Sequence, residues 1–163
     1  MAENGEAESQ DQVEDTQKGK FLTFSLGTEF YGIEIKHVTE IIGLQLITEI
    51  PEMPEYIKGI INLRGKIIPL MDVRLRFRKP FREYSDRTCI VVIDIREISV
   101  GLIVDSVSEV IAIPDEEIVT PPNVNKNGNK YIKGIGKVGH DVKLLLDTDK
   151  LLNDEEVENL NNI

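Results

Sequence analysis

Short runs of Ile, Val, Leu and Phe, bounded by glycine and proline, recur along the chain from about residue 20 to about residue 150. Several runs alternate apolar and polar positions, the pattern of a strand with one buried and one solvated face. In "KIIPLMDVRLRFR", Val73, Leu75 and Phe77 alternate with arginines, which predicts a strand that continues to Phe77. Pro69 in that run predicts a bulge or an edge position, because proline cannot donate a ladder hydrogen bond.

The segment "IEIKHVTEII" mixes two periods. Ile33 and Ile35 alternate as in a strand, whereas Val38, Ile41 and Ile42 have helical spacing. We therefore expect a strand followed by one helical turn.

One stretch of the chain occurs twice. "YIKGIINLRGKIIPLMD", which begins at Tyr56, returns as "YIKGIGKVGHDVKLLLD", which begins at Tyr131. Upstream, "FYGIEIKHVTEII" matches "SVGLIVDSVSEVI" in the same order. The extra residues of the second copy fall around "NVNKNGNK", where Asn127-Gly128 predicts a loop or hairpin tip. The chain is therefore predicted to be an internal duplication with two units of similar length.

Many short strands without a long amphipathic helix favour sheets that close on themselves as small barrels. The repeat predicts a first barrel at about residues 20–80 and a second at about 88–151, packed together around a cleft. A short C-terminal helix is predicted at about 153–162, with Asn153 as its N-cap and Glu156 as the capping-box partner. The predicted fold class is all-β.

The net charge of -10 is concentrated at the two ends of the chain. Residues 1–17 are rich in acids, contain no base and have few apolar residues, which predicts a disordered acidic tail before a folded body at 18–163. No run reaches the roughly 18 apolar residues of a membrane span, and no signal peptide is evident. We expect a cytoplasmic protein in which Cys89, the only cysteine, is a buried reduced thiol.

Residues for catalysis are not evident. His37 and His140 have no second histidine or cysteine at metal spacing, and the sequence has no nucleophile elbow or phosphate-binding loop. Asp72 and Asp147 occupy equivalent positions of the repeat, where capping of a strand end explains them better than paired catalysis. We expect no enzyme activity, no metal and no cofactor; an enzyme acting at the cleft is a competing class.

The motif "NLRG" occurs in the first repeat only. It places Arg64 in a predicted turn, where the guanidinium can bind carboxylate or carbonyl groups of a partner. An intramolecular salt bridge, for example to Glu40, explains Arg64 equally well, and Asn62 is suited to holding the turn through backbone hydrogen bonds.

The run "RLRFRKPFR" concentrates positive charge next to aromatic residues. A small barrel that binds single-stranded nucleic acid is therefore the alternative function. Protection of an edge strand from unwanted pairing explains the arginines more simply, since the body outside the acidic termini has no net charge. The basic residues of the run are Arg74, Arg76, Arg78, Lys79 and Arg82.

Three segments together resemble the bacterial chemotaxis coupling protein family, CheW: "FYGIEIKHVTEII", "YIKGIINLRGKIIPLMDVR" and "GLIVDSVSEVI". The resemblance covers about residues 18–153. It implies two tandem five-stranded SH3-like barrels and a noncatalytic adaptor that joins methyl-accepting chemotaxis receptors to the histidine kinase CheA. Such an adaptor is associated with membrane receptor arrays through protein contacts, without inserting into the membrane or binding nucleic acid.

The resemblance also implies where the partners bind. The helical tip of the receptor would lie in a groove, with apolar residues taking its nonpolar stripe and Arg64 fixing the register. The implied receptor-binding residues are Val38, Glu40, Ile42, Gly43, Arg64 and Gly65. The regulatory domain of CheA would associate barrel to barrel. The implied kinase-binding residues are Ile47, Cys89, Val91 and Val104.

Overall fold

The computed structural model describes residues 17–121 and 129–163, which form eleven strands and two short α-helices. The strands are β1 Lys20–Leu26, β2 Glu29–Glu34, β3 Val38–Gly43, β4 Ile57–Leu63, β5 Lys66–Asp72, β6 Cys89–Ile95, β7 Ile98–Val104, β8 Ser106–Ala112, β9 Ile118–Val119, β10 Ile132–Val138 and β11 Asp141–Leu146. The helices are α1 Val73–Arg76 and α2 Asp154–Asn161.

The strands form two sheets. One has the order β3-β6-β7-β5-β4 and the other the order β8-β1-β2-β11-β10-β9. Neighbouring strands are antiparallel except in the pairs β5–β7 and β2–β11, which are parallel. These two parallel pairs occupy equivalent places, so the sheets have the same internal plan.

Each sheet closes on itself through one strand that bends and continues. After β3 the chain crosses to β4, where Thr48 and Ile60 exchange two backbone hydrogen bonds of 2.9 Å. After β8 the chain likewise reaches β9, which pairs with β10. If β8 and β9 are taken as one bent strand, each sheet is a five-stranded barrel. The predicted all-β fold of two small barrels with a short C-terminal helix is confirmed.

The repeats and the barrels do not coincide. The β3–β7 barrel takes three strands from the first repeat and two from the second, and the other barrel takes β1 and β2 from the first repeat. The prediction of one barrel at residues 20–80 and the other at 88–151 is therefore wrong. The first two strands of each repeat are exchanged, because they pair across the molecule with the last three strands of the other repeat.

Within residues 17–121 and 129–163, the buried apolar side chains form three clusters. The largest joins residues of both barrels, such as Phe24 of β1 and Leu102 of β7, and fills the space between them. Two smaller clusters contain Ile90 in the β3–β7 barrel and Phe21 in the other barrel. Strands between a barrel interior and the shared core are therefore apolar on both faces, as "CIVVIDI" is.

Strand β5 ends earlier than the alternation predicts. The side chain of Asp72 accepts a 3.2 Å hydrogen bond from the backbone N–H of Leu75 and caps the helical turn α1. The predicted strand through Phe77 is therefore wrong, although capping by Asp72 is confirmed, as it is for Asp147 with the N–H of Asp149 at 3.2 Å. An aspartate that can cap a turn overrides a period-two pattern of only a few residues.

The mixed segment after Ile33 is resolved as strand, turn and strand. β2 ends at Glu34, a 3-10 turn spans Ile35–His37, and β3 begins at Val38. The predicted helical turn over Val38, Ile41 and Ile42 is therefore wrong: the only turn in this segment precedes Val38, and these three residues lie in β3. Pro69 lies in β5 one residue before the pairing with β7 begins at Leu70. The lack of an N–H group at Pro69 therefore costs no hydrogen bond to β7.

The C-terminal helix has the predicted cap. The Asn153 side chain accepts from the N–H of Glu156 at 2.8 Å, and the Glu156 carboxylate accepts from the N–H of Asn153 at 2.9 Å. Cys89 is half-buried rather than buried, with its Sγ 3.4 Å from the Arg87 carbonyl oxygen. The predicted acidic tail and the predicted Asn127-Gly128 hairpin tip lie outside the described residues, apart from Gln17.

Candidate protein-binding site

The six predicted receptor-binding residues lie at one place on the β3–β7 barrel. Four are on β3, where Val38, Glu40 and Ile42 are half-buried and Gly43 is exposed. Arg64 and Gly65, both exposed, form the turn between β4 and β5. Since β3 and β4 are the two ends of the sheet order, this site lies at the seam where the barrel closes.

The turn between β4 and β5 is a two-residue hairpin. Arg64 has a φ of 52° and Gly65 a φ of 85°, so both are left-handed, as a type I′ turn requires. The Asn62 side chain accepts a 2.8 Å hydrogen bond from the N–H of Gly65, which confirms its predicted role in the turn. In the second repeat Gly139 takes the place of Arg64 with a φ of 61°. Glycine therefore suits this position, and Arg64 occupies it at the expense of backbone strain.

Arg64 forms an ion pair with Glu40 across the seam. The Arg64 side chain is 71% exposed and that of Glu40 is 30% exposed. Of the two alternatives for Arg64, the intramolecular pair is therefore present, yet most of the guanidinium stays accessible to a partner. An exposed pair of this kind contributes about 0.2–1 kcal/mol to stability. The pair orients Arg64 more than it stabilises the fold.

Gly43 and Gly65 leave the surface beside this ion pair open. A Cβ atom built on either residue would meet no atom within 4 Å, so the backbone is accessible there. Gly59, on β4, has a different role. A Cβ there would lie 2.2 Å from the Thr48 carbonyl oxygen, because the closing segment after β3 crosses directly over it. Gly59 therefore serves barrel closure rather than binding.

The four predicted kinase-binding residues differ in exposure. Ile47 and Cys89 are half-buried. Val91 is 0% exposed and Val104 is 1% exposed, and both belong to the core between the barrels. The assignment of Val91 and Val104 as direct contacts is therefore wrong. They lie on strands that are buried on both faces, which a short apolar run does not distinguish from a half-exposed strand.

The exchange of strands also brings the two predicted sites together. Gly43 of β3 pairs with Cys89 of β6, and Cys89 pairs with Val104 of β7. The repeat boundaries place these residues in different barrels, but the structure places all ten predicted contact residues on the β3–β7 barrel or on the segment after β3.

Exposed aliphatic side chains near the seam were missed by the sequence reasoning. Ile41 is 43% exposed, Leu44 38%, Leu46 92% and Ile67 48%. The adjacent pair Ile41 and Ile42 in β3 is a signal that could have found one of them, since successive side chains of a strand face opposite sides. These four exposed residues of β3, the segment after β3 and β5 are here called the outer aliphatic surface.

The comparisons with known proteins agree with this architecture. The family model of the CheW-like domain matches residues 20–156. The chain belongs to the CheW-like domain family. It is 37% identical to the chemotaxis protein CheW of Klebsiella aerogenes over 145 residues, which cover 88% of this chain and 87% of the relative. It is 36% identical to the chemotaxis protein CheW of Treponema pallidum over 149 residues, which cover 88% of each chain.

A solved CheW-like structure has the same fold. The scaffolding protein TtCheW from Thermoanaerobacter tengcongensis superposes with a TM-score of 0.77 at 40% identity, covering 83% of this chain and 88% of that one. This likeness supports the assignment of the two barrels as SH3-like.

Most cations of the basic run of this CheW-like chain form ion pairs within the molecule. Arg74 and Arg82 both donate to the Asp105 carboxylate, at 2.8 and 3.1 Å. Arg76 pairs with Glu156 and Lys79 with Glu29. Four of the five cations therefore already contact a carboxylate. The hypothesis that the arginines protect an edge strand requires a strand here, but the structure has the helix α1 instead. This arrangement disfavours the nucleic-acid alternative, which needs unpaired cations along a groove.

Within residues 17–121 and 129–163, no cluster of three His, Cys, Asp or Glu side chains could hold a metal ion. No helix in this part of the CheW-like chain is both long and apolar enough to cross a bilayer.

Proposed function

We propose that this protein is a chemotaxis scaffold that couples methyl-accepting receptors to the histidine kinase CheA and has no enzyme activity of its own. Membership of the CheW-like family and likeness to relatives named for chemotaxis and to a scaffolding protein support this proposal. The observation that carries the receptor part is Arg64, a left-handed, largely exposed arginine at the barrel seam.

The receptor surface that we propose consists of Val38, Glu40, Ile42 and Gly43 of β3 together with the β4–β5 turn. A helix lying along this surface would place its nonpolar stripe on Val38 and Ile42, which keep part of their surface accessible. The open backbone at Gly43 and Gly65 would allow close approach of the helix. Arg64, already oriented by Glu40, would bind a carboxylate or carbonyl groups on the helix and fix its register.

The kinase surface that we propose retains Ile47 and Cys89 and adds the outer aliphatic surface. Leu46 is the most exposed of these side chains, and an exposed leucine is suited to a barrel-to-barrel contact with the regulatory domain of CheA. Val91 and Val104 support this surface from the core without reaching it. The receptor and kinase surfaces are thus neighbours on one barrel.

A titration with a receptor fragment containing the cytoplasmic helical tip tests the receptor part. Arg64→Ala is expected to weaken binding about tenfold, or about 1.4 kcal/mol, while binding of the CheA regulatory domain is kept. Arg78→Ala is the matched control, because Arg78 is also exposed and also left-handed, with a φ of 61°. Equal receptor affinity of the Arg64 and Arg78 variants would remove Arg64 from the site.

A further inference from the structure

Arg76 is a charged residue at which the two barrels and the C-terminal helix meet. It ends α1, and its side chain is only 12% exposed. Its Nε donates to the Leu151 carbonyl oxygen at 2.8 Å, and its two terminal nitrogens donate to the Glu156 carboxylate at 3.1 and 2.9 Å. Three of the five N–H groups of the guanidinium therefore donate to acceptors that follow β11.

Two tyrosines hold the same guanidinium by its face. The Cζ of Arg76 lies 4.3 Å from the ring centre of Tyr56 and 5.4 Å from that of Tyr131. Tyr56 precedes β4 of one barrel and Tyr131 precedes β10 of the other, and the two are equivalent positions of the repeat. Arg76 thus contacts both barrels at matching places, and it does so without a symmetric partner, because Leu151 occupies its position in the second repeat.

Glu156 connects this contact to the start of α2. One carboxylate oxygen accepts both from Arg76 and from the N–H of Asn153, so the capping box of α2 and the ion pair share an atom. Arg74, two residues earlier on α1, forms a second ion pair, at the junction between β7 and β8. There the Asp105 carboxylate accepts from Arg74 at 2.8 Å and from the N–H of Gly27 at 2.7 Å.

We propose that Arg76 is a positioning residue that fixes the angle between the two barrels, so that the protein acts as a rigid coupler. This inference rests on the proposed scaffold function. An adaptor that transmits a displacement rather than a chemical change must not absorb that displacement at an internal hinge. A planar guanidinium with defined hydrogen-bond directions and two ring contacts restrains an angle, whereas a lysine ammonium supplies the charge without that restraint.

Spin-label distances between the barrels test this inference. The labels replace Ile67 on β5 and Val142 on β11, which are 48% and 52% exposed and occupy equivalent repeat positions, in a Cys89→Ser background. With Arg76 intact we expect one narrow distance distribution, and with Arg76→Lys we expect the single narrow peak to be lost. Arg64→Lys is the matched control, because it alters an arginine ion pair within one barrel and should leave the peak unchanged.

A folded Arg76→Lys variant with the same narrow peak as Arg64→Lys would overturn the inference. If Arg76→Lys fails to fold, the same distance is measured in Glu156→Gln. Glutamine keeps an acceptor for the Asn153 N–H and removes the negative charge that pairs with Arg76. An unchanged peak in that variant would overturn the inference equally.

A functional measurement separates an effect on the angle between the barrels from an effect on the affinity for either partner. With Arg76→Lys we expect the receptor fragment and the kinase domain each to bind as before, while receptor control of kinase activity in the three-component mixture is lost. Retained control together with a broadened distance distribution would overturn the rigid-coupler mechanism. If the unaltered protein binds no receptor fragment, the scaffold proposal fails, and the distance measurement still decides the role of Arg76.

Discussion

Glu40 and Arg64 form an ion pair that bridges the seam of the β3–β7 barrel, from an edge strand to a hairpin turn. Arg64 has a left-handed backbone conformation, and Gly139 has the same conformation at the equivalent position of the second repeat. The hairpin does not need an arginine to form. The combination of backbone strain, exposure and an orienting neighbour agrees with the receptor-binding role that we propose for Arg64.

Arg64→Gly is expected to leave the free energy of unfolding within about 1 kcal/mol of the original value. Glycine relieves about 1–2 kcal/mol of left-handed strain, while the loss of an exposed ion pair and the greater freedom of the unfolded chain oppose it. Arg64→Val should be clearly less stable than the unaltered protein and the Arg64→Gly variant, because a β-branched residue is poorly suited to a positive φ. Urea unfolding of the three proteins checks this order; a Val variant as stable as the Gly variant would contradict the left-handed turn.

Gly59→Ala is expected to destabilise the barrel by more than about 3 kcal/mol, the range of severe backbone and packing conflicts. The added Cβ would lie 2.2 Å from the Thr48 carbonyl oxygen, on the segment that closes the sheet. Gly65→Ala is the control, since its Cβ meets nothing within 4 Å and only backbone strain of about 1–2 kcal/mol is added. Thermal unfolding of both variants checks the difference. Similar losses of stability in the Gly59→Ala and Gly65→Ala variants would argue against a close crossing of the Thr48 segment over Gly59.

Tyr84 is expected to make stability depend on pH in the alkaline range. Burial raises the pKa of Tyr84, as does its 2.7 Å hydrogen bond to the Asp72 carboxylate, which is 1% exposed. The unfolded chain loses the phenol proton near pH 10 while the folded protein keeps it. The contribution of Tyr84 is therefore complete below about pH 10 and declines as the pH rises above it.

The comparison with Tyr84→Phe isolates this effect. The stability advantage of the unaltered protein should shrink above pH 10 by less than about 1.4 kcal/mol per pH unit, the limit for one proton, since Tyr84 is partly solvated. Burial and Glu29 also raise the pKa of Tyr31, but that residue is present in both proteins and cancels in the difference. Denaturant unfolding between pH 8 and about pH 11.5 measures the difference; a constant advantage would contradict the prediction.

Leu46→Ser is expected to weaken binding of the CheA regulatory domain without changing stability. The side chain is 92% exposed, so its removal opens no cavity, whereas burial at an interface would be lost at about 25 cal/mol per Å2 of apolar surface. Val142→Ser, on the exposed part of the other barrel, is the control. Calorimetric titration of both variants with the kinase domain checks the assignment. Equal affinities would move the kinase surface away from the outer aliphatic surface.

The duplication and the local elements follow from the sequence. The Asn153 cap, the Asn62 turn and the capping role of Asp72 were predicted because each depends on hydrogen bonds within about three residues. Arg64 could be singled out because it stands where the other repeat has a glycine. Its pairing with Glu40 remained one of two alternatives, since the sequence does not measure the distance between a strand and a turn 24 residues away.

The tertiary structure alone decided which strands share a barrel. Each repeat contains a full set of strands, and local pattern cannot distinguish a barrel closed within one repeat from one closed by exchange, because the same side-chain periodicity serves both. The exchange buries both faces of β6, which removes Val91 from the surface, and it brings Gly43 beside Cys89. It also creates the space in which Arg76 meets Tyr56 and Tyr131, a contact between distant segments that depends on how whole sheets pack.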